Sequence, residues 1–233
     1  MCLNMDLSIV IPAYNEENRI EKTLPPALKY IENLKKRGVS TEVIVVNDGS
    51  TDKTLEILKK FAGRIKIISY TPNHGKGYAL RQGVKSSQGK YIYIADADFS
   101  TPIEYVEKFL DEIKQADCVI GSRSVPGGSV KVSFIRKLFG NASNLVIRMI
   151  LHLDFKDTQC GFKMFNEKCK KYFLDCVNER WGYDFEFLYL LKKNNLKVVE
   201  MPVEWSAVGE SHVKPLHFIK TFLELLNVRK VHG

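Results

Sequence analysis

Asp96 and Asp98 stand one residue apart, followed by Ser100 and Thr101, with no histidine or cysteine nearby. Carboxylates and hydroxyls without nitrogen or sulfur donors suit a hard divalent cation, Mg2+ or Mn2+, which in turn bridges phosphate oxygens. The chemistry indicated is chemistry on a nucleoside diphosphate, with Asp98 and Ser100 as candidate metal ligands and Asp96 placed to orient a ribose or a metal-bound water. An acid after a strand also serves as a helix cap or a solvated turn residue. Two further segments tip the balance. In Ile9-Val10-Ile11-Pro12-Ala13-Tyr14-Asn15-Glu16 an apolar strand ends in a proline turn that can present Tyr14 to a flat base, with Glu16 beside it. In Val43-Ile44-Val45-Val46-Asn47-Asp48-Gly49-Ser50-Thr51-Asp52 a β-branched strand ends in a polar turn whose Asp48 can accept hydrogen bonds from base or ribose. Ser50 or Thr51 there serves equally well as a helix N-cap.

These groups need elements to place them. Strands are expected over 7–11, 42–46, 65–69, 91–95 and 118–121, and helices over 25–36, 53–61, 77–87 and 102–115. Pro25-Pro26 and Pro102 are expected in first turns, where a missing N–H is tolerated. The alternation predicts an α/β fold with a doubly wound, mostly parallel sheet and flanking helices. Ligands of such sheets bind at the carboxyl ends of the strands, so three strand ends would line one crevice. Pro126-Gly127-Gly128-Ser129 reads as a flexible link, beyond which helices and short strands cover the crevice. One domain is expected over 1–233, with a donor-binding half at 1–122 and an acceptor-binding half at 123–233.

Gly75-Lys76-Gly77 lacks the spacing of a phosphate-binding P-loop, and no strand is followed by a dinucleotide fingerprint. A helix start preceded by glycines can still hold an anion through exposed N–H groups, or be an ordinary helix start. Arg123, after the strand at 118–121, is expected at the same edge as Asp98, where a guanidinium can clamp phosphate bidentately. Over 133–153, apolar residues recur at helical spacing beside Arg136, Lys137 and Arg148, and 215–231 repeats the pattern beside Lys220, Arg229 and Lys230. Such helices lie in a membrane interface or close a core with a basic edge.

With 233 residues, 45% of them hydrophobic, the chain can bury a sizeable core. No run of about 18 uncharged apolar residues and no signal-peptide pattern is present, so a cytoplasmic enzyme on the cytosolic face of a membrane is expected. The five cysteines show no C-x-x-C spacing, which fits reduced thiols. Charge is unevenly spread: residues 1–120 hold 17 Lys+Arg against 16 Asp+Glu, and residues 121–233 hold 18 against 11, within a net charge of +8. A basic second half fits an anionic acceptor or an anionic membrane surface. Nucleic acid is not expected as a partner, since no helix-turn-helix, RNA-recognition or zinc-finger signature accompanies the charge.

Taken in order, Ile11-Pro12-Ala13-Tyr14-Asn15-Glu16, Asn47-Asp48-Gly49-Ser50-Thr51-Asp52, Asn73-His74-Gly75-Lys76-Gly77 and Asp96-Ala97-Asp98 resemble glycosyltransferase family 2, GT-A fold enzymes that use nucleotide-activated sugars. Gly121-Ser122-Arg123, Asp157-Thr158-Gln159-Cys160-Gly161-Phe162-Lys163, Arg180-Trp181-Gly182-Tyr183-Asp184 and Glu200-Met201-Pro202-Val203-Glu204-Trp205 resemble its dolichyl-phosphate glucosyltransferase and mannosyltransferase branch, the glucosyl type more closely. The resemblance implies an inverting, metal-dependent transfer of a hexose from a UDP- or GDP-sugar, UDP-glucose favoured, to dolichyl or polyprenyl phosphate. It implies that Pro12, Tyr14, Glu16, Asp48, Lys76, Asp96, Ala97 and Asp98 hold the donor, and that Asp157, Gln159 and Trp181 shape the sugar and acceptor pocket. Arg123 and Arg136 would hold the acceptor phosphate. Gly140 stands where mannosyl-type enzymes often carry serine, and in 209–214 His212 or Lys214 takes the place of a loop lysine. A phosphate monoester is already anionic near neutral pH and needs little base catalysis. A glycan hydroxyl acceptor would need a base, for which Asp184 is the candidate; a catalytically silent nucleotide-binding module is a third reading.

Overall fold

The computed structural model describes residues 5–131, 134–206 and 216–233, with the side chains of 131, 134–137, 139 and 216–219 outside that description. The first half alternates β1 (Met5–Ala13), α1 (Glu17–Lys36), β2 (Thr41–Asp48), α2 (Thr54–Lys59), β3 (Lys66–Tyr70), α3 (Lys76–Ser86), β4 (Gly89–Ile94), α4 (Tyr105–Glu112) and β5 (Cys118–Ser122). The second half contains β6 (Ser129–Lys131), α5 (Phe134–Leu151), β7 (Lys163–Asn166), α6 (Glu167–Leu174), α7 (Tyr183–Lys193), β8 (Val198–Pro202), β9 (Glu204–Ser206) and α8 (Leu216–His232).

The main sheet has the order β3-β2-β1-β4-β7-β5-β8, and β6 pairs with β9 in a small second sheet. Every ladder is parallel except those of β7, which runs antiparallel between β4 and β5. Helices cover both faces, so the central strands bury both of theirs. Leu7, Ile9 and Ile11 enter the core under α1 and α4, while Val10 enters the core with Leu80, Phe173 and Phe187. That two-sided burial is why these strands read as unbroken apolar runs. From β1 the chain builds outward to β2 and β3, whereas β4 lies on its other side. The strand ends at the β1/β4 boundary therefore open the crevice of a doubly wound sheet.

Three local expectations are corrected. Helix α1 starts at Glu17 and carries Pro25 and Pro26 in its interior, not in its first turn. Its start is set by another loop: Glu17 N donates to Asp52 Oδ2 at 3.1 Å, and Lys53 N donates back to Glu17 Oε2 at 2.9 Å. An interior proline costs about 3 kcal/mol. Against this, Ile20, Leu24, Ala27, Leu28, Ile31 and Leu34 form one buried stripe across the prolines, and each large side chain there contributes roughly 1.5–3 kcal/mol. The carbonyls that lose a helical partner belong to Glu21 and Lys22, both exposed to water.

Pro12, expected in a turn, lies within β1 opposite Val46 of β2. Val10 O accepts Ala95 N, so Val10 and, two residues on, Pro12 turn their backbone polar groups toward β4. The β1–β4 pairing has ended by then, and the missing N–H breaks no ladder bond. The glycines at 127 and 128 make a fixed turn rather than a loose link. Gly127 has φ +87°, and a Cβ on Gly128 would lie 2.5 Å from Ser122 O.

Among the described residues, no helix is long and apolar enough to cross a membrane. The cysteines at 118, 160, 169 and 176 are buried and free.

Candidate active site

The crevice is organised by loops tied to one another before any ligand enters. After β1, Asn15 takes φ +53° and binds the loop after β2. Asn15 N donates to Ser50 Oγ at 3.0 Å, and Asn15 Oδ1 accepts Thr51 N at 2.9 Å. Glu16 N donates to Thr54 Oγ1 at 2.8 Å. So the hydroxyls read as possible caps hold a neighbouring loop, leaving Tyr14 with 43% of its surface exposed at the rim.

Asp48, expected as an acceptor for base or ribose, is 2% exposed. Its carboxylate accepts Asn73 Nδ2 at 2.7 Å, His74 N at 2.9 Å and Gly75 N at 2.8 Å. It organises the loop before α3, which leaves roughly one of its lone-pair sites, on Oδ1, for a nucleotide. Gly49, at φ +67°, brings the two loops together: a Cβ there would meet Asn73 N at 2.6 Å.

The glycines around Lys76 serve close approach. A Cβ on Gly75 would lie 2.6 Å from Glu179 O, and one on Gly77 would lie 2.6 Å from Asn178 O. Gly77 N donates to Arg180 O at 3.1 Å and Tyr78 N to Glu179 O at 3.0 Å. These N–H groups are taken by protein carbonyls, so the anion-binding capacity of this turn rests on the Lys76 ammonium. Lys76 Nζ lies 2.5 Å from Asp96 Oδ1 and 5.6 Å from the centre of the Trp181 ring. Burial opposes its charge, but Asp96, Asp184 and Asp98 outweigh it and raise its pKa.

At the end of β4 the chain turns sharply. Asp98 Oδ1 accepts Ser100 N at 2.9 Å, Phe99 between them adopts φ +45°, and Thr23 Oγ1 of α1 donates to Ala97 O at 2.7 Å. A phenylalanine at positive φ is a strained conformation of the kind that collects at functional sites. The Ser100 hydroxyl is buried without a hydrogen-bond partner. An all-oxygen set of Asp98 and Ser100, with Asp96 and Glu16 close by, fits a hard divalent cation. Among the described residues no three His, Cys, Asp or Glu side chains gather to hold a metal, so the diphosphate would have to supply part of the shell.

The far wall is formed by the start of β7 and the end of β5. Arg123 reaches the same sheet edge as Asp98, but it is paired with Asp157. Nε donates to Oδ2 at 2.7 Å and Nη2 to Oδ1 at 2.9 Å, and Nη2 also donates to Gln159 O at 3.3 Å. Burial opposes the Arg123 charge, and Asp157 more than offsets it. Nη1 is the nitrogen not committed to Asp157. The Gln159 side chain meets Ser143 Oγ at 3.4 Å.

Lys163 was not singled out by its sequence. It opens β7 opposite both Ile94 and Ile120, is 1% exposed, and donates to Asp184 and to Cys160 O. Burial raises the Asp184 pKa, against the pull of Lys163 and Lys76. Asp96, Lys76, Asp184 and Lys163 thus make a row of alternating charge through the wall. A lone lysine in an apolar run, Phe162-Lys163-Met164-Phe165, was the available signal. His212 and Lys214 lie outside the described residues, as does the side chain of Arg136.

Glu16 has its pKa raised to about 7, first by burial and then by Asp98, Asp96 and Asp52, against the pull of Arg19. The sign follows: its folded-state pKa exceeds the unfolded value, so the contribution is favourable below the unfolded pKa and is lost as pH rises toward 7. Glu16→Gln is therefore expected to match the parent at about pH 4, below the unfolded pKa, and to exceed it by about 1–2 kcal/mol at about pH 8.5, a figure reduced for partial exposure. Urea unfolding at both pH values in EDTA measures this, and equal offsets at both would refute it.

A doubly wound sheet with paired acids, a lysine and an arginine converging on its switch-point crevice defines a glycosyltransferase of the GT-A type. Glucosyl-3-phosphoglycerate synthase from Mycobacterium tuberculosis, solved with Mn2+ and UDP-glucose, superimposes with a TM-score of 0.72 at 17% identity over 98% of this chain and 80% of that one. At that identity the likeness shows the fold. Residues 8–188 match the Glycosyl transferase family 2 model, and the chain belongs to that family. It is 34% identical to a dolichyl-phosphate beta-glucosyltransferase of Trichomonas vaginalis, over 95% of this chain and 72% of that protein. It is likewise 33% identical to the Dictyostelium discoideum enzyme of that name and 34% identical to the human one, over 91% and 90% of this chain and 70% of each relative.

Proposed function

We propose that this glycosyltransferase moves glucose from UDP-glucose to dolichyl or another polyprenyl phosphate, inverting the anomeric centre. The relatives' names support the acceptor and the sugar, and the nucleotide-sugar complex of the structural neighbour supports a UDP donor. The observation that carries the choice of acceptor is the sealing of Asp184 against Lys163. A hydroxyl nucleophile needs a base, whereas a phosphate monoester arrives already ionised.

In this reading residues 1–122 hold the donor and 123–233 the acceptor within one domain. Tyr14 packs on the base, Asp96 orients the ribose, and Lys76 exchanges Asp96 for the diphosphate. Asp98 and Ser100 would hold Mg2+ or Mn2+, which when bound offsets the charge growing on the leaving diphosphate. Arg123, its Nε and Nη2 anchored by Asp157, and Arg136 position the acceptor phosphate. One acceptor oxygen forms a bond to the anomeric carbon as the bond from that carbon to the diphosphate oxygen breaks on the opposite face, and no proton has to move.

The acceptor's lipid requires a surface to approach. Leu138, Leu145 and Met149 of α5 and Phe222, Leu223 and Leu226 of α8 are exposed, the two helices pack together, and Lys220, Arg229 and Lys230 of α8 are exposed as well. This supports peripheral binding to an anionic membrane face.

The deciding assay offers radiolabelled UDP-glucose, UDP-N-acetylglucosamine and GDP-mannose, each with a polyprenyl phosphate and Mg2+ or Mn2+, followed by organic extraction. Label from UDP-glucose in the lipid phase is the expected result. Transfer only to water-soluble glycans would overturn the acceptor assignment.

A further inference from the structure

Helix α7 begins at Gly182 and Tyr183, and the N-cap glycine has no side chain to satisfy the N–H groups of that end. Of those groups a residue of the last helix takes Gly182 N, together with an N–H of the loop just before the helix. Glu224 Oε2 accepts Gly182 N at 2.8 Å and Oε1 accepts Arg180 N at 3.2 Å, on either side of Trp181. The contact is close because residue 182 is glycine: a Cβ there would lie 2.8 Å from Glu224 Cβ. Asn178 Nδ2 adds a bond to Glu224 O at 3.3 Å.

The other side of the same loop braces α3. The carbonyls of Arg180 and Glu179 accept from Gly77 and Tyr78, and Asn178 O accepts Arg81 Nη1 at 2.9 Å. Residues 178–182 are therefore held between α8 and the turn that carries Lys76, and they carry Trp181, which faces the Lys76 ammonium.

We propose that Glu224 is a positioning residue of the donor site. By bracing residues 180–182 at the start of α7 from α8 it sets the place of Trp181 and Asp184, and through the carbonyls of 179 and 180 that of Lys76. A carboxylate suits the task because the N–H groups of Arg180 and Gly182 converge on it at the positive end of α7. A glutamine would turn an NH2 group toward those donors. The proposal rests on the reading of Lys76 and Trp181 as lining of the donor site.

The test uses Trp205→Phe as background, which leaves Trp181 as the only tryptophan. Glu224→Gln is compared there with Val228→Ala, which loosens α8 from the core without touching the carboxylate. For Glu224→Gln, amide exchange at 180–182 is expected to accelerate about tenfold or more, with greater acrylamide quenching of Trp181. The donor KM is expected to rise about tenfold while kcat changes less than about threefold. Val228→Ala should lower the melting temperature without these changes. If the two variants alter exchange, quenching and KM alike, in proportion to lost stability, Glu224 is only a fold residue and the proposal fails. Loosened exchange with an unchanged donor KM overturns it as well. Should Asp98→Ala leave transfer intact, the donor-site reading is what has failed, and the exchange and quenching comparison still judges the brace.

Discussion

Replacing Asp98 by alanine is expected to lower glucosyl transfer by about three orders of magnitude or more, since a charge-stabilising group is removed where the leaving diphosphate develops its charge. The fold should survive, because among the described residues the hydrogen bond lost is the local one from Ser100 N, worth about 1–3 kcal/mol. Two measurements check this together: initial rates with saturating donor and acceptor, and Mn2+ affinity by titration calorimetry in the presence of UDP. Weakened Mn2+ binding with lost turnover supports the assignment. Retention of a tenth of the activity would remove Asp98 from the reaction.

The second large effect concerns stability. Lys163→Met leaves the Asp184 carboxylate buried without its partner and is expected to destabilise the protein by about 3–5 kcal/mol. For a chain of this size that corresponds to a fall in Tm of roughly 6–20 °C. Combining Lys163→Met with Asp184→Leu removes both charges and should recover much of the loss, because an apolar pair can replace a buried ion pair. Thermal unfolding of the three variants gives the coupling directly. If the single variant melts like the parent, the wall does not depend on this pair, and the argument against Asp184 as a base weakens with it.

The strands at 7–11, 42–46, 91–95 and 118–121 were readable because a strand buried on both faces must be largely apolar, and the edge strand at 65–69 because its isoleucines pack against the sheet's interior. The convergence of the Tyr14, Asp48, Asp96 and Arg123 segments followed from the same parallel topology, which sends successive strand ends to one edge. The start of α1 was not readable, since its cap is supplied by Asp52, 35 residues away. Nor was β7, whose first residue is a lysine that only a buried aspartate on another element makes tolerable.

The amino-acid sequence by itself determined the alternation of strands and helices, the placement of carboxylates at a strand end, and membership in a nucleotide-sugar family, because periodicity and motif order are properties of neighbours along the chain. Which charges face the crevice and which are consumed inside the wall was decided only by the tertiary structure. Asp48 braces a loop, Asp157 orients Arg123 at the edge, Asp184 pairs with Lys163 and Glu224 holds the loop before α7. Each pairing joins residues at least 21 positions apart. An ionised side chain, once out of water, takes its partner from whatever element the fold brings within hydrogen-bond distance.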